Sequence, residues 1–107
     1  MSAEVKLAEL GITLPSASSP RGHYLSHRSS GSTLILSGVI SFSSNGKEWT
    51  GQVAAAPDLD DGYSAARVCA INVPAAIRKI TGSLDSVKQF LYVGGYVNAA
   101  PLPQPSI

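Results

Sequence analysis

The sequence predicts an α+β fold, in which a β-hairpin plus a further strand form a mixed sheet and one amphipathic helix packs on that sheet. Three stretches carry this prediction: an apolar, β-rich run at residues 32–42, an apolar stripe of helical period at residues 58–81, and a strand-like alternation at residues 87–98. Their order gives β-β-β-α-β, with the helix covering one face of the sheet.

The N-terminal part predicts a short helix, a loop and a hairpin. Residues 5–10 suit a helix that ends at Gly11. Residues 13–21 are rich in proline and serine and predict an extended loop. Residues 22–28 alternate in part and predict a first strand, and the Ser-Ser-Gly-Ser turn at residues 29–32 joins it to the central run.

The central run is interrupted at Ser37 and Gly38. A glycine inside a strand pattern marks a bulge or a close approach of two backbones. Ser37 could present its hydroxyl and nearby backbone N–H groups to a small ligand. The other interpretation is a buried serine bonded to a neighbouring carbonyl, and the sequence by itself favours this second interpretation.

The second half of the chain predicts two more strands. The Asn-Gly pair in residues 43–46 predicts a tight turn, and residues 48–53 then predict a short third strand anchored by Trp49. Residues 87–98 carry apolar or aromatic side chains on both faces. Because the helix can cover only one of these faces, we expect the other to meet another subunit.

The main helix is predicted over residues 58–81, with Asp58 or Asp60 as its N-cap and Gly82 as its end. Pro74 removes one backbone hydrogen bond and is expected to kink it. The stripe expected to face the core contains Ala66, Cys69, Ala70, Val73, Ile77 and Ile80. The side chains expected to be exposed are Arg67, Arg78 and Lys79.

Composition limits the function classes. The chain has 107 residues, enough for one small domain, with 44% hydrophobic residues, 14% charged residues and a net charge of +1. This near-neutral charge argues against binding to nucleic acid or to an anionic membrane. The low charge content favours a partner subunit. One cysteine, no long apolar run and no leader-like N-terminus predict a cytoplasmic protein.

No strong catalytic or metal-binding motif is present in the sequence. His23 and His27 are spaced as ligands would be on a helix, but the predicted strand separates them too far for easy chelation. Cys69 fits a small core residue better than a nucleophile. Tyr24 precedes the central run and either reaches a cleft beside Ser37 or packs in an ordinary way.

The chain nevertheless resembles the RidA/YjgF family, also labelled L-PSP endoribonuclease or chorismate-mutase-like. The resemblance covers most of the chain and is closest to a RidA-like subfamily. The segments that carry it are residues 10–15 (LGITLP), 22–41 (GHYLSHRSSGSTLILSGVIS), 63–77 (YSAARVCAINVPAAI) and 84–101 (LDSVKQFLYVGGYVNAAP).

That resemblance implies a homotrimer with ligand clefts between subunits, and hydrolysis of reactive enamines and imines of the 2-iminopropanoate type to keto acids and ammonia. It implies no metal and no organic cofactor. Tyr24, Ser37 and Gly38 match the family's substrate-binding residues. In the family an arginine holds the substrate carboxylate and a late carboxylate helps to activate water.

The sequence departs from the family at those two groups, because Arg21, Arg28, Arg67 and Arg78 do not match the family's arginine and no catalytic residue can be assigned. We therefore expect a truncated member with impaired hydrolysis. The expected parts are a helix and loop at residues 1–21, a RidA-like domain at 22–98 and a proline-rich tail at 99–107. The alternatives are a non-catalytic domain that binds small ligands or modulates oligomers, and a ribonuclease, which the net charge of +1 disfavours.

Overall fold

The predicted α+β class is confirmed, with two α-helices and a two-stranded antiparallel sheet among the residues that the structure describes. The elements are α1 (Ala3–Leu10), β1 (His27–Ser30), β2 (Thr33–Leu36) and α2 (Leu59–Thr81), and 3₁₀ turns lie at Ala56–Asp58 and Leu84–Ser86. The structure is a computed structural model that describes residues 2–17, 19–20, 22–43, 45–54 and 56–100.

Helix α1 begins two residues earlier than predicted because Ser2 caps it. The Ser2 hydroxyl accepts a hydrogen bond from the Val5 N–H at 3.1 Å, which satisfies one of the free donors of the first turn. The helix ends at Gly11, as predicted.

The predicted hairpin is confirmed, but its first strand is shifted along the chain. The strand expected at residues 22–28 begins only at His27, and Ser30 pairs with Thr33 across a two-residue turn. Gly31 opens this turn with a φ of +59°, and a positive φ at the first turn position alone is typical of the type II′ turns that suit hairpins. Strand β2 ends at Leu36, so the predicted break at Ser37 and Gly38 is also confirmed.

The strands predicted at residues 48–53 and 87–98 are not formed within the described residues. Only single bridges occur there, between Phe42 and Glu48 and, in parallel orientation, between Val53 and Ala99. A strand needs a hydrogen-bonded neighbour along several residues, and these segments have none. The expected mixed sheet is therefore a two-stranded antiparallel one. From residue 101 onward, the expected proline-rich tail lies outside the described residues.

Helix α2 matches its predicted span closely. It ends at Gly82, whose φ is +88° and whose N–H donates to the Arg78 carbonyl at 2.7 Å. Asp58 is the N-cap residue, one of the two that were predicted, but its carboxylate accepts from the Ala54 N–H at 2.9 Å and makes no capping bond to the helix. Pro74 lies inside the helix without ending it.

The core lies under the C-terminal half of α2. Its buried residues are Leu14, Ala75, Ile77 and Leu84, and the half-buried side chains packed against them are Leu7, Ile12, Leu34, Leu36, Ile71, Val73 and Val87. Helix α1, the following loop, β2 and the second 3₁₀ turn thus share one core with α2. Ala66 and Ala70 of the predicted stripe are exposed, because nothing in this core reaches that end of the helix.

The segment that was expected to form the last strand is the most exposed apolar part of the structure. Tyr96 is 96% exposed. The other exposed apolar residues of this segment are Phe90, Leu91, Tyr92, Val93 and Val97. In the part of the chain that the structure describes, no helix is both long and apolar enough to cross a membrane.

Candidate functional site

Ser37 fixes the backbone where β2 ends. Its N–H donates to the Ser26 carbonyl at 2.9 Å, and its hydroxyl donates to the same oxygen at 3.1 Å. Both bonds join the end of the hairpin to the residue that precedes β1. The next residue, Gly38, has a φ of +131°, a conformation that side-chain-bearing residues rarely adopt. The chain therefore turns away from the sheet at this point.

A cavity of about 270 Å³ opens beside this turn. The three residues that the family resemblance implies, Tyr24, Ser37 and Gly38, all line it. The remaining wall comes from residues 17, 19, 20, 26, 36, 39 and 40 and from two residues of α2, Asn72 and Ala76. The helix and the hairpin end thus form the cleft together with the proline- and serine-rich loop.

Asn72 is the residue of this wall that the sequence analysis missed. Its side-chain nitrogen donates to the Ile40 carbonyl at 2.9 Å and to the Phe42 carbonyl at 3.0 Å. The helix therefore holds the segment that follows Gly38. A single asparagine within a predicted helix has no sequence pattern that indicates such a contact.

A second set of bonds holds this segment from its other side. The Trp49 N–H donates to the Ser41 carbonyl at 3.2 Å, and the Ser41 hydroxyl donates to the Trp49 carbonyl at 3.0 Å. The Lys47 ammonium lies 4.7 Å from the centre of the Trp49 ring, and the indole N–H has no acceptor among the described residues. Trp49 thus anchors the segment behind the cavity.

The described residues of the cavity wall offer hydrogen-bond groups but no formal charge. No lysine, arginine, histidine, aspartate or glutamate is among the described residues that line it. The backbone N–H groups of Gly38, Val39 and Ile40 donate to no backbone or side-chain acceptor among the described residues. Together with the half-exposed Tyr24 hydroxyl, these groups can donate to a small polar ligand.

The other candidate residues lie outside this cavity. His27 shares a hydrogen bond of 2.9 Å with the Ser26 hydroxyl, and His23 is exposed. Cys69 is half-buried, and burial raises the pKa of its thiol. No cluster of three or more potential metal ligands occurs among the residues that the structure describes.

Arg78 is not simply exposed, as the sequence suggested, but forms an ion pair with Glu4 of α1. The Arg78 Nε donates to the Glu4 carboxylate at 3.2 Å, and the Leu84 N–H donates to the same carboxylate at 2.8 Å. The hydrogen bonds from Arg78 and Leu84 hold the pKa of Glu4 below its usual value. This contact, the α1 clasp, joins α1 to the end of α2 and to the turn at Leu84–Ser86.

The fold and the cavity define a small α+β chain with a cleft at the end of a hairpin, and the described residues that line this cleft carry no formal charge. The chain is 37% identical to protein TCP17 of Trypanosoma cruzi over 95 residues, which cover 89% of this chain and 59% of TCP17. It is also similar to a crystal structure from Shewanella oneidensis MR-1 that is provisionally assigned as an endoribonuclease, with a TM-score of 0.67 and 27% identity. That similarity covers 78% of this chain and 56% of the Shewanella chain.

The chain thus spans 59% and 56% of the lengths of these two proteins. No protein-family model matches it. The structural similarity to the Shewanella protein supports the RidA/YjgF resemblance at the level of the fold. The name TCP17 does not indicate an activity.

Proposed function

We propose that the chain is a RidA-like protein whose cleft binds small imines or enamines, or the keto acids that they yield on hydrolysis. The observation that carries this proposal is the shared cavity of Tyr24, Ser37 and Gly38, which are far apart in sequence from the helix that closes it. The structural similarity to a protein assigned as an endoribonuclease supports the same family.

The donors of the cleft suit the anionic end of such a ligand. The N–H groups of Gly38, Val39 and Ile40 and the Tyr24 hydroxyl can donate to a carboxylate or to a carbonyl oxygen. A cavity of about 270 Å³ is large enough for a molecule with three or four carbon atoms. The apolar side chains of Leu36, Val39 and Ile40 would contact its hydrocarbon part.

The same wall supports binding better than turnover. Hydrolysis of an imine requires an activated water, and the resemblance assigns this role to a carboxylate that the described wall does not contain. The carboxylate-binding arginine is absent from that wall as well. We therefore propose that the chain binds these ligands with little hydrolysis.

We also propose that the chain assembles as a homotrimer, as the resemblance implies. The exposed apolar segment at residues 90–97 supports this proposal, since soluble monomers rarely expose a large contiguous apolar patch.

The ribonuclease alternative has less support. The Shewanella protein carries that assignment, but binding to RNA draws on lysine and arginine contacts with phosphates. This chain has a net charge of +1, and the described wall of its cleft contains no cation. A small organic ligand fits the cavity better.

The binding proposal can be tested by NMR titration of the 107-residue chain with pyruvate and 2-oxobutanoate. Backbone amide signals of residues 38–40 should shift in a saturable way. Tyr24→Phe should weaken binding between about 2-fold and 13-fold, the equivalent of one net hydrogen bond of about 0.5–1.5 kcal/mol. Tyr63→Phe is the matched control, because Tyr63 is exposed and lies outside the cavity.

Two results would contradict the binding proposal: no saturable shift in the wild type, or equal binding by the wild type and Tyr24→Phe. A parallel assay measures ammonia release from 2-iminopropanoate generated in situ by an amino-acid oxidase. We expect no acceleration by this chain. Acceleration would show that the groups for hydrolysis are supplied after all.

The assembly proposal can be tested by light scattering. The wild type should have the mass of a trimer. Tyr96→Glu should lower it, because a carboxylate would be buried in the proposed interface. Tyr63→Glu places the same charge on an exposed tyrosine of α2 and should leave the mass unchanged. A monomeric wild type would refute the assembly.

A further inference from the structure

The orientation of the Asn72 amide is determined by its two hydrogen bonds. The group at the end of the side chain meets two backbone carbonyl oxygens, of Ile40 at 2.9 Å and of Phe42 at 3.0 Å. A carbonyl oxygen can only accept, so the amide nitrogen and not its oxygen must occupy this position. Each carbonyl takes one of the two N–H hydrogens, and the nitrogen has no donor left.

Asn72 also lines the cavity. Since its donors are committed to the backbone, the polar atom that it can still offer to a ligand is the acceptor Oδ1. The Ser37 hydroxyl is in a similar state, because its hydrogen is donated to the Ser26 carbonyl and only its lone pairs remain. Any hydrogen bond that either side chain makes to a ligand in the cavity is therefore made as an acceptor.

We infer that Asn72 is a specificity residue of the cleft, whose Oδ1 accepts a hydrogen bond from the N–H of a bound imine or enamine. The inference rests on the proposed function and adds that the same site distinguishes imines and enamines from keto acids. An imine or enamine carries an N–H at the carbon that is hydrolysed, whereas the keto acid carries an oxygen there that can only accept. If the keto oxygen lay opposite Asn72, it would face the acceptor Oδ1 and could not form a hydrogen bond with it. The cleft therefore prefers the nitrogen ligand to its hydrolysis product.

Two stable probes separate these cases: 2-acetamidoacrylate and 2-acetoxyacrylate. They have the same shape and differ in one position, which is N–H in the first and oxygen in the second. NMR titration of the 107-residue chain gives a dissociation constant for each. The wild type should bind 2-acetamidoacrylate more tightly, between about 2-fold and 13-fold, the range of one net hydrogen bond.

Asn72→Ala should reduce this preference to about 1, since it removes the acceptor. The control is Ser41→Ala, which loosens the same backbone segment by removing the bond to the Trp49 carbonyl and leaves Asn72 in place. Ser41 does not line the cavity. A merely structural role of Asn72 would weaken both probes equally in Asn72→Ala and keep the preference, which would overturn the inference.

The wild type alone keeps the inference testable if Asn72→Ala does not fold. The side-chain NH₂ signals of Asn72 should shift on addition of 2-acetamidoacrylate and less on addition of 2-acetoxyacrylate. Equal affinities for the two probes would overturn the inference while the proposed function stands. If the two probes and pyruvate all fail to bind, the proposed function fails, and the inference fails with it.

Discussion

Replacing Gly38 by alanine tests whether the backbone beside the cleft is held in a conformation that only glycine adopts without strain. An added Cβ at Gly38 would meet no atom within 4 Å, so the substitution causes no steric clash. Its cost comes from the φ of +131°, which an alanine rarely adopts. Such strain is worth about 1–3 kcal/mol. Alanine also restricts the unfolded chain, and this effect raises the free energy of unfolding by about 0.4–1 kcal/mol. The free energy of unfolding should therefore fall by about 1–2 kcal/mol.

Gly95→Ala is the matched control, measured at a protein concentration low enough for the chain to be monomeric, because Gly95 lies in the proposed interface. An added Cβ at Gly95 also meets no atom within 4 Å, but Gly95 is not among the glycines with positive φ. Alanine should therefore be tolerated there. The free energy of unfolding should rise by between about 0 and 1 kcal/mol, because alanine restricts the unfolded chain. The difference in the free energy of unfolding between the two variants measures the strain that alanine has at residue 38, without a contribution from steric clash.

The assay is urea unfolding followed by circular dichroism at 222 nm. With a slope of about 2 kcal/mol per molar urea, the midpoint of Gly38→Ala should fall by about 0.5–1 M. The same variant should bind pyruvate more weakly, because relaxation of residue 38 changes the direction of the N–H groups that we propose as donors to the ligand. Equal midpoints for Gly38→Ala and Gly95→Ala would refute the strain argument.

Two further predictions concern the core and the α1 clasp. Leu84→Ala should lower the free energy of unfolding by about 2–4 kcal/mol, because Leu84 is 6% exposed, whereas Leu10→Ala should cost about 1 kcal/mol or less at 59% exposure; equal urea midpoints would contradict this. The lowered pKa of Glu4 stabilises the fold above the ordinary value of 4.5, and this stabilisation is lost as the pH falls through the lower folded-state value. Glu4→Gln should therefore reduce the loss of thermal stability between pH 7 and pH 3, and an unchanged pH dependence would exclude the clasp as its source.

The sequence predicted the elements whose determinants are local. Helix α2 was found within one residue at its start because a helical stripe and Gly82 mark it independently of the rest of the chain. The hairpin turn at Gly31 and the break at Gly38 were found for the same reason, since glycine has its own conformational range. Local chemistry is readable without knowledge of the neighbours.

The features that depend on a distant partner were missed. Residues 87–98 have a strand pattern but no neighbour along their length, so the pattern alone gave the wrong element. The α1 clasp joins residues 74 positions apart, and nothing near Glu4 or Arg78 indicates it. Within the cleft, Tyr24, Ser37 and Gly38 came from the family resemblance, while Asn72 required the packing of helix against hairpin.

The position of Trp49 gives the protein an intrinsic optical probe. Trp49 is the sole tryptophan of the chain, and its backbone is bonded to Ser41 in the segment that Asn72 holds beside the cleft. Indole fluorescence responds to nearby charge, and the Lys47 ammonium lies 4.7 Å from the ring centre. A ligand that displaces this segment would change the distance between ammonium and ring. Emission from the unlabelled wild-type chain should therefore follow occupancy of the cleft in real time.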